Sequence, residues 1–551
     1  MIDNYFIADQ FSLLAKLMDV HGENSFKSKS YSSSAFTIEK LPEQLSTLQP
    51  AEFSKMKGIG DSAAKKISEI LETGKLLALE ELIGKTPSGI LEMLTIKGLG
   101  PKKISTIWKE MEIETIGELL YACNENRLMM YKGFGQKTQE NVRDTIEFYL
   151  RNQGSHLYAE TEPYVLAIDK KIKAQFPNHK FQLTGEFSRQ LEIINQVEWV
   201  TTTSIGELKT FFEQNKYLTH VEEVTGIQFS GEDNVRTFFH ITDEKSFAAK
   251  CIGTGSSAEF LAACQQKPGW TNAIVAQNEE EFFEKLGISY CPPFLREQSW
   301  AVESNSKNEI IQPTDIRGII HSHSKWSDGS NTIEEMAAAC IAKGLEYLVI
   351  SDHSKSAFYA NGLSEERIRE QHQLIDELNT KLAPFRIFKS IESDILNDGS
   401  LDYPEETLKT FDLVIASVHS NLKMTEEKAM SRLLKAIENP YTTILGHMTG
   451  RLLLSRKGYP VDHSRIIDAC KANNVVIELN AHPRRLDMGW QYIHEAIEKG
   501  VLISIDPDAH TIDGFDDCRF GVLSAQKAGV TAKDNLSSFT LQQFEAHIGH
   551  R

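Results

Sequence analysis

The segment R-G-I-I-H-S-H-S-K-W-S-D-G, residues 317–329, places His321, His323 and Asp328 directly after a short apolar run. Similar polar clusters recur through the rest of the chain. The further candidate ligands in these clusters are His353, Glu392, His419, His447, Asp508 and His510. Imidazole and carboxylate ligands suit two or three divalent ions such as Zn, Mn or Fe. The pattern therefore predicts a multi-metal hydrolase.

The polar clusters follow runs rich in Ile, Val and Leu that predict β-strands. These runs lie at 317–321, 346–351, 387–392, 412–418, 443–447, 475–480 and 501–507. Amphipathic segments such as 332–344 separate them, and seven β/α units predict a parallel sheet closed into a barrel. Catalytic groups of such barrels lie at the C-terminal ends of the strands, so distant ligands should converge on one face. A single H-x-H would be weak support, because histidine is often a packed core or surface residue.

The composition limits the possible classes of protein. A chain of 551 residues is too long for one core and should form three or four domains. The net charge of -18 argues against a protein coated with nucleic acid, but residues 51–110 hold ten Lys against eight Asp plus Glu. Seven Cys without a C-x-x-C pair fit a reducing cytoplasm. With neither a signal sequence nor a long apolar run, we expect a soluble cytoplasmic protein without a membrane partner.

Three segments near the N-terminus share a Lys-Gly-apolar-Gly pattern followed by a helix. They read M-K-G-I-G-D-S-A-A-K-K-I, I-K-G-L-G-P-K-K-I and Y-K-G-F-G-Q-K-T-Q-E-N-V. Paired glycines permit a tight turn and leave backbone amides open to a phosphate at the start of the next helix. The glycines are Gly58, Gly60, Gly98, Gly100, Gly133 and Gly135, and the adjacent lysines are Lys57, Lys65, Lys66, Lys97, Lys102, Lys103, Lys132 and Lys137.

This pattern is typical of helix-hairpin-helix units, which bind DNA through phosphates without reading its sequence. The alternative is that G-x-G only turns the chain between packed helices, above all in the third segment. We therefore expect DNA as a sequence-independent partner. The sequence indicates no particular protein partner or oligomeric state.

Taken together, the motifs resemble bacterial family X DNA polymerases that carry a C-terminal PHP (polymerase and histidinol phosphatase) domain. The PHP match covers D-I-R-G-I-I-H-S-H-S-K-W-S-D-G, S-V-H-S, L-G-H-M-T-G-R-L-L, G-Y-P-V-D and P-D-A-H-T-I-D-G. The resemblance implies a trinuclear metal centre with 3′-5′ exonuclease and phosphoesterase activity, bound by the nine residues named above. It also implies that Glu392 bridges two ions. One departure is G-H-M where the family usually has G-H-P, but His447 is kept.

The predicted architecture is multidomain, with α+β and α/β parts. Two helix-hairpin-helix regions come first, a lyase-like domain at 1–85 and a fingers-like region at 86–155. A degenerate family X palm- and thumb-like domain at 156–300 and a linker at 301–314 follow. A distorted (β/α)7 PHP barrel takes up 315–551.

The palm-like region departs from the family at the polymerase site. Family members have a G-S motif, an Arg-rich turn and G-D-x-D, whereas residues 184–199 read T-G-E-F-S-R-Q-L-E-I-I-N-Q-V-E-W. Gln196 and Glu198 occupy the positions of the two aspartates, Phe238 best matches the third carboxylate, and Glu186 replaces the serine that would help to hold a triphosphate. Two-metal phosphoryl transfer needs carboxylate oxygens, which Gln and Phe cannot supply.

The T-G-S at 254–256 and the P-P-F-L-R-E at 292–297 persist, so we expect the palm fold without polymerase activity. Lys66 matches the lysine that forms a Schiff base with abasic sites in related enzymes. Neighbouring Lys65 could lower its pKa, but a plain phosphate contact is the favoured interpretation.

The expected chemistry is hydrolysis of phosphodiester or phosphomonoester bonds at the barrel mouth, with Glu392 and Asp508 as catalytic ligands. His321, His323 and Asp508 belong to the first and last strands, which are neighbours in a closed barrel, and should share one ion. Candidate phosphate-binding cations are Lys355, Arg451 and, more weakly, Arg485, although each could form a surface ion pair instead.

The predicted function is therefore a DNA-binding, metal-dependent phosphoesterase or 3′-5′ exonuclease in DNA repair, with an inactive polymerase domain. One alternative is an active gap-filling polymerase with PHP proofreading. Others are a small-molecule phosphatase of the histidinol phosphate type and a non-catalytic DNA scaffold. The metal identity stays open, because such ligand sets accept several ions.

Overall fold

The computed structural model describes the chain with a few gaps. Residues outside the description are 1, 97, 125–127, 132, 152–153, 224–225, 231–234, 272–273, 305–308, 358–359, 455–456 and 550–551. Lys97 and Lys132 of the predicted hairpins are therefore outside the described residues. The chain divides into two compact units, Met1–Gln153 and Gly154–Arg551.

The first unit is helical. Its helices are α1 (Asn4–His21), α2 (Ser25–Glu39), α3 (Pro50–Phe53), α4 (Asp61–Thr73), α5 (Leu77–Gly84), α6 (Ser88–Met93), α7 (Pro101–Lys109), α8 (Ile116–Asn124) and α9 (Gln136–Arg151). One apolar cluster, which includes Phe11 and Phe53, joins α1 to α5. A second cluster, which includes Ile104 and Ile146, joins the later helices to Val20.

The glycine pairs form the turns that the sequence predicts. Gly58, Gly98 and Gly133 have φ angles of 92°, 92° and 95°, in the left-handed region that glycine adopts without strain. Gly60 and Gly100 directly precede α4 and α7 as their N-cap residues. A Cβ atom at Gly98 or Gly100 would meet nothing within 4 Å, so the space in front of these turns is open.

The second unit begins with a mixed sheet and its helices. Its strands are β1 (His156–Leu157), β2 (Phe181–Thr184), β3 (Ile193–Ile194), β4 (Val197–Thr201), β5 (Leu218–Glu223), β6 (Gly226–Ser230) and β7 (Arg236–Ile241). Its helices are α10 (Tyr158–Gln175), α11 (Gly185–Ser188), α12 (Ile205–Gln214), α13 (Phe247–Thr254), α14 (Ala258–Gln265), α15 (Glu279–Leu286) and α16 (Trp300–Glu303). Within the described residues the main sheet has the order β2-β4-β7-β6-β5.

The rest of the second unit is a parallel barrel. Its strands are β8 (Gly318–Ile319), β9 (Tyr347–Ile350), β10 (Arg386–Asp394), β11 (Leu413–Ser417), β12 (Ile444–Leu445), β13 (Val476–Asn480) and β14 (Ile503–Asp506). The helices are α17 (Ile333–Ala342), α18 (Glu365–Leu382), α19 (Glu405–Leu408), α20 (Glu426–Ile437), α21 (His463–Asn473), α22 (Trp490–Glu498), α23 (Cys518–Gln526) and α24 (Leu541–Gly549).

The barrel strands pair in chain order from β8 to β14, all in parallel. Beyond the ends of β8 and β14, Ser322 bridges Ala509, and the His323 N–H donates to the Ala509 carbonyl at 2.8 Å. This contact nearly closes the sheet. The predicted fold class, with a helical hairpin region and a distorted seven-stranded barrel, is confirmed for the residues that the structure describes.

Alternate residues of each barrel strand separate an inner from an outer core. On β9, Leu348 and Ile350 pack with the surrounding helices, whereas Tyr347 and Val349 belong to the interior cluster. Phe544 of α24 stacks on Tyr347 with ring centroids 4.5 Å apart. Apolar side chains thus fill the barrel near the strand beginnings, which leaves the other end for polar groups.

Two further features bear on the sequence predictions. Among the described residues, no helix has both the length and the apolar character that a membrane span requires. Each of the seven cysteines is buried as a thiol and not as part of a disulfide.

Candidate metal centre

All nine predicted metal ligands lie at or beyond the C-terminal ends of the barrel strands. His321 and His323 follow β8, and Glu392 lies near the end of β10. Their donor atoms form overlapping groups in which the atoms lie within 4.8 Å of one another. These groups are His323, Asp328, His353 and His510; His321, His323 and Asp508; His321, Glu392 and His447; and His353, Glu392 and His419.

Glu392 is the centre of this arrangement, and its side chain is almost completely buried. Three imidazole nitrogens face its Oε1 atom: His447 Nε2 at 2.9 Å, His419 Nε2 at 3.1 Å and His321 Nε2 at 3.2 Å. Two others face Oε2, His353 Nδ1 at 2.9 Å and His323 Nε2 at 3.6 Å. Each carboxylate oxygen therefore has its own set of nitrogens, which is the placement that a bridging carboxylate requires.

The other two carboxylates, Asp508 and Asp328, contact different histidines of the cluster. Asp508 Oδ1 lies 3.1 Å from His323 Nε2 and 3.5 Å from His321 Nε2, so the three residues predicted to share an ion are together. Asp328 Oδ1 lies 3.4 Å from His510 Nε2. The donors thus extend over more space than one ion needs.

Several of these buried atoms have no partner with hydrogen-bond geometry. Among the described residues they include His321 Nε2, His353 Nδ1, His447 Nδ1 and Glu392 Oε2. A buried polar atom without a partner costs free energy, so such atoms in native proteins normally bind hydrogen-bond donors, water or ions. Because His353 Nδ1 lies 2.9 Å from Glu392 Oε2 and His321 Nε2 lies 3.2 Å from Glu392 Oε1, these residues fit divalent cations.

A second layer of carboxylates, absent from the sequence predictions, orients the histidines. Glu478 on β13 binds His321 Nδ1 and also accepts the backbone N–H of His447 at 2.5 Å. Asp394, at the end of β10, contacts His419 Nδ1 at 2.5 Å. Such contacts fix which nitrogen of each ring faces a metal. For Glu478 the signal in the sequence is an acidic residue within the otherwise apolar run V-V-I-E-L, whereas the strand of Asp394 already contains other polar residues.

Backbone geometry at three ligands is unusual. His321, His447 and Asp508 have φ angles of 58°, 20° and 51°, where non-glycine residues are uncommon. Such conformations persist at functional sites when the surrounding structure enforces them. Here each one lies two residues after the end of a strand, and its unusual φ angle has no sign in the sequence.

The carboxylates change the protonation of the histidines in the metal-free site. Burial alone would lower the pKa of His419, but Glu392 and Asp394 outweigh it and raise that pKa to about 10. Burial would likewise lower the pKa of His510, but its contact with Asp328 contributes to a rise to about 9. At neutral pH both rings therefore carry a proton that a metal must displace.

Other ligands are already in the form that binds metal. Burial, together with neighbouring His510 and His353, lowers the pKa of His323 to about 3. Burial would raise the pKa of Glu392, but the surrounding histidines, led by His419, hold it well below its ordinary value. His323 is thus neutral and Glu392 ionised over the physiological range.

We therefore expect metal uptake to release protons. At pH 7.5, His419 and His510 should contribute about two protons to this release as they become neutral ligands. His321 should add to it, because burial alone would lower its pKa but Glu478, Asp508 and Glu392 raise that pKa well above the ordinary value. Affinity should rise as the pH increases from 7 toward 9, because fewer protons must be displaced, and should level off above the pKa of His419, about 10. Zinc titration calorimetry in buffers of different ionisation enthalpy measures this release. His419→Gln should reduce it by about one proton, whereas release independent of pH would contradict the assignment.

The predicted phosphate-binding cations fall in different places. Arg485 lines a cleft of about 230 Å³ together with His353, His419, Asp508 and His510. Its Nε atom lies 3.7 Å from Asp508 Oδ2, and the side chain is 22% exposed. The weaker candidate from the sequence is therefore the cation that faces the metal ligands.

Lys355 and Arg451 are not among the residues that line this cleft, and their role as phosphate contacts stays a prediction. Lys355 Nζ pairs with Glu365 at 2.7 Å. Arg451 Nη2 binds Glu192 at 2.7 Å, and its Nε donates to the Arg485 carbonyl at 2.9 Å. Nearness to a ligand in sequence did not determine where these side chains point.

The palm-like sheet has a different arrangement at the position of the polymerase carboxylates. Glu198 on β4 is in register with Phe238 on β7, and Glu198 Oε1 lies 2.9 Å from His240 Nε2. Gln196 comes directly before β4. In the part of the chain that the structure describes, every group of three or more potential metal ligands lies in the barrel.

Two charged residues of the T-G-E-F-S-R segment, Glu186 and Arg189, form hydrogen bonds or ion pairs within the palm-like region. Glu186 accepts both the backbone N–H of Asn195 at 2.6 Å and its Nδ2 at 2.9 Å. Arg189 binds Glu297, and its Nη1 donates to the Thr254 carbonyl at 3.4 Å. The cation of the T-G-E-F-S-R segment is thus neutralised within the domain.

The hairpin lysines differ in exposure. Lys65 and Lys102 are exposed, whereas Lys66 and Lys103 are partly buried. Lys66 Nζ lies 5.7 Å from the centre of the Tyr31 ring. Lys103 Nζ lies 3.5 Å from the Gly98 carbonyl, at the second hairpin.

Comparison with known proteins places these regions in a family. A helix-hairpin-helix domain model matches residues 2–76, a SAM-like helix-hairpin-helix tandem matches 90–147, and a PHP domain matches 320–482. The chain is 31% identical over 565 aligned positions to the DNA polymerase/3′-5′ exonuclease PolX of Bacillus subtilis, which covers 97% of both chains.

The barrel also resembles smaller proteins. A probable phosphatase of Caldanaerobacter subterraneus subsp. tengcongensis is 31% identical over 36% of this chain and 78% of its own length. A probable phosphatase of Acetivibrio thermocellus is 30% identical over 34% of this chain and 78% of its own length. These matches cover only part of the chain, whereas the PolX match extends through the hairpins, the palm-like sheet and the barrel. The chain therefore belongs to the PolX family, the bacterial family X DNA polymerases that carry a C-terminal PHP domain.

Proposed function

We propose that this protein is a DNA-binding, metal-dependent phosphoesterase that removes nucleotides from DNA 3′ ends in repair, and that its palm-like domain does not polymerise. The observation that carries the proposal is the contrast between the two sites. Around Glu392 the structure gathers eight further imidazole and carboxylate residues. At the palm position it holds a Glu198–His240 pair next to Phe238.

The residues of the barrel divide the chemical task. When bound, two or three ions such as Zn, Mn or Fe would supply a water of lowered pKa and positive charge for the phosphoryl oxygens. Glu392 and Asp508 hold negative charge among the imidazoles, and Glu478 keeps the His321 ring in one orientation. Arg485, at the cleft wall, would bind a non-bridging oxygen of the scissile phosphate.

DNA binding is assigned to the hairpins of the first unit. Gly58, Gly98 and Gly133 hold left-handed turns. At the second hairpin a Cβ atom on Gly98 or Gly100 would meet nothing within 4 Å, and the exposed Lys102 adds positive charge. Amides at a helix start and adjacent lysines neutralise phosphates whatever the bases, so binding should not depend on sequence. The name of the Bacillus subtilis relative, which includes both polymerase and exonuclease, supports DNA as the substrate.

The direct test compares hydrolysis and metal content in the wild type and in Asp508→Ala. We expect the wild type to bind Zn or Mn and to shorten single-stranded DNA from its 3′ end, and the variant to lose both properties. Metal bound without nuclease activity would leave the phosphoesterase proposal without support.

A primer-extension assay tests the palm-like domain. With a gapped duplex, Mg or Mn and all four nucleotides, we expect no extension, because Gln196 and Phe238 cannot hold the ions that polymerisation requires. His323→Ala removes exonuclease activity that could hide extension. Robust incorporation by His323→Ala would show an active polymerase with PHP proofreading and overturn this part of the proposal.

A small-molecule phosphatase is the second candidate, favoured by the similarity of the barrel to probable phosphatases. Such an enzyme would not need the hairpins. Comparing the turnover of histidinol phosphate with the shortening of DNA 3′ ends separates the two functions. We expect kcat/KM to favour DNA.

A further inference from the structure

A turn of the palm-like domain packs against the loops of the barrel that carry site residues. The turn is residues 189–192, between α11 and β3. Glu192 Oε1 accepts a hydrogen bond from Arg451 Nη2 at 2.7 Å, and the two side chains are only 9% and 20% exposed. Arg451 belongs to the G-H-M-T-G-R loop that supplies His447. The ion pair therefore joins the palm-like domain directly to a loop of the metal centre.

Arg451 in turn holds a second loop. Its Nε donates to the Arg485 carbonyl at 2.9 Å, and its Nη2 also donates to the Leu486 carbonyl. This loop follows β13 and carries the Arg485 guanidinium, whose Nε lies 3.7 Å from Asp508 Oδ2. A continuous series of polar contacts thus leads from Glu192 through Arg451 and Arg485 to a metal ligand.

The junction is tightly packed and charged. A cavity there has room for only about 10 Å³ and is lined by Gln190, Glu192, Leu486 and Lys527, among others. Lys527 is almost completely buried, and its Nζ donates to the Gln190 carbonyl at 2.6 Å. With so little space, water cannot readily replace the Glu192 carboxylate, and Arg451 would lose a charged partner.

We propose that Glu192 is a positioning residue for hydrolysis at the barrel: it orients Arg451, which fixes the 481–488 loop and aims Arg485 at the scissile phosphate. This inference rests on the proposed phosphoesterase function and extends it. The turn lies where family members have the Arg-rich turn before G-D-x-D, according to the resemblance, and here it serves the hydrolase. The barrel loop then depends on a contact from the palm-like domain.

The same domain junction supplies a matched control. Glu162 of α10 binds Arg519 of α23: Arg519 Nη1 donates to Glu162 Oε1 at 3.0 Å, and the Glu162 side chain is 15% exposed. Arg519 does not line the metal cleft, and α23 carries none of the nine ligands. Glu162→Gln thus removes a glutamate–arginine ion pair at the same junction, although a more exposed one, since Arg519 is 41% and Arg451 20% exposed.

The experiment uses the full chain loaded with Mn. Glu192→Gln should lower kcat for bis(4-nitrophenyl) phosphate and for DNA 3′ ends by about tenfold. Glu162→Gln should keep the wild-type rates. In an Arg485→Ala background, Glu192→Gln should cause no further loss, because the group through which it acts is gone. Glu192→Asp should restore part of kcat.

A second readout does not depend on activity. Hydrogen exchange of backbone amides in 481–488 should be faster in Glu192→Gln than in the wild type or Glu162→Gln, since the loop loses its support. Unchanged exchange, or an equal loss of kcat in the Arg485→Ala background, would overturn the positioning role. If the wild type hydrolyses neither substrate, the proposed phosphoesterase function fails. If the wild type is active and Glu192→Gln has the same kcat, the positioning role of Glu192 fails and the proposed function stands.

Discussion

Glu392→Gln is expected to lower phosphodiester hydrolysis by about a thousandfold, because it removes a charge that several ligands share. Glutamine keeps the shape of the side chain but has one neutral carbonyl oxygen, whereas glutamate has two oxygens that share a negative charge. Glu392 Oε1 lies within 3.2 Å of His321, His419 and His447, and Oε2 lies 2.9 Å from His353. A single substitution thus weakens more than one metal position at once.

The effect should appear in metal content as well as in rate. Elemental analysis should find less metal bound per chain in Glu392→Gln than in the wild type, and steady-state assays should show a fall in kcat. Glu366→Gln is the matched control, because Glu366 is exposed on α18 and makes the same chemical change away from the site. Full metal content with wild-type kcat in Glu392→Gln would rule out a bridging role. Thermal unfolding of both variants checks that the fold is kept.

The barrel and its ligands could be predicted because two simple rules agree there. Apolar runs mark buried parallel strands, and polar groups just after such strands meet at one end of a barrel. His353 and Asp508 each follow an apolar run directly, so their convergence needed no knowledge of side-chain direction. The nearly closed sheet from β8 to β14 then brings His321 beside Asp508.

The supporting groups could not be predicted in the same way. Glu478 lies inside β13 and looks like an isolated acidic residue in an apolar run, and only the barrel geometry places it against His321. Arg451 follows His447 by four residues, yet its guanidinium turns to Glu192, a partner 259 residues away in the chain. The direction of a long side chain near a site depends on partners that are distant in sequence. The pattern of strands and helices does not reveal which distant residues will become those partners.

The palm-like region shows another limit of sequence reasoning. Matching the family motif predicted Gln196, Glu198 and Phe238 at the carboxylate positions, and the register of β4 with β7 puts Glu198 opposite Phe238. The contact of Glu198 with His240 was not foreseen, because it depends on which face of β7 each residue occupies. That pair gives the surviving carboxylate an internal partner.

The second large effect is expected for the hairpin double variant Lys102→Glu/Lys103→Glu. It should weaken DNA binding by about 10- to 100-fold, because two positive charges beside the open turn at Gly98 and Gly100 become negative. The slope of log K against log salt should fall in magnitude by about 1.4, since about 0.7 is lost for each phosphate contact on a single strand. Fluorescence anisotropy with a labelled single strand across a salt series measures both quantities.

Bis(4-nitrophenyl) phosphate separates binding from chemistry in this variant. The hairpins belong to the unit Met1–Gln153 and the metal ligands to the unit Gly154–Arg551, so turnover of this small substrate should not change while KM for DNA rises. Lys16→Glu/Lys75→Glu makes the same change in net charge at exposed positions away from the glycine turns. An equal loss of affinity in that control would assign DNA binding to overall charge. A loss of affinity confined to the hairpin variant would assign DNA binding to the hairpin turn. The hairpins would then act by raising the local concentration of DNA 3′ ends, and not by altering the metal site.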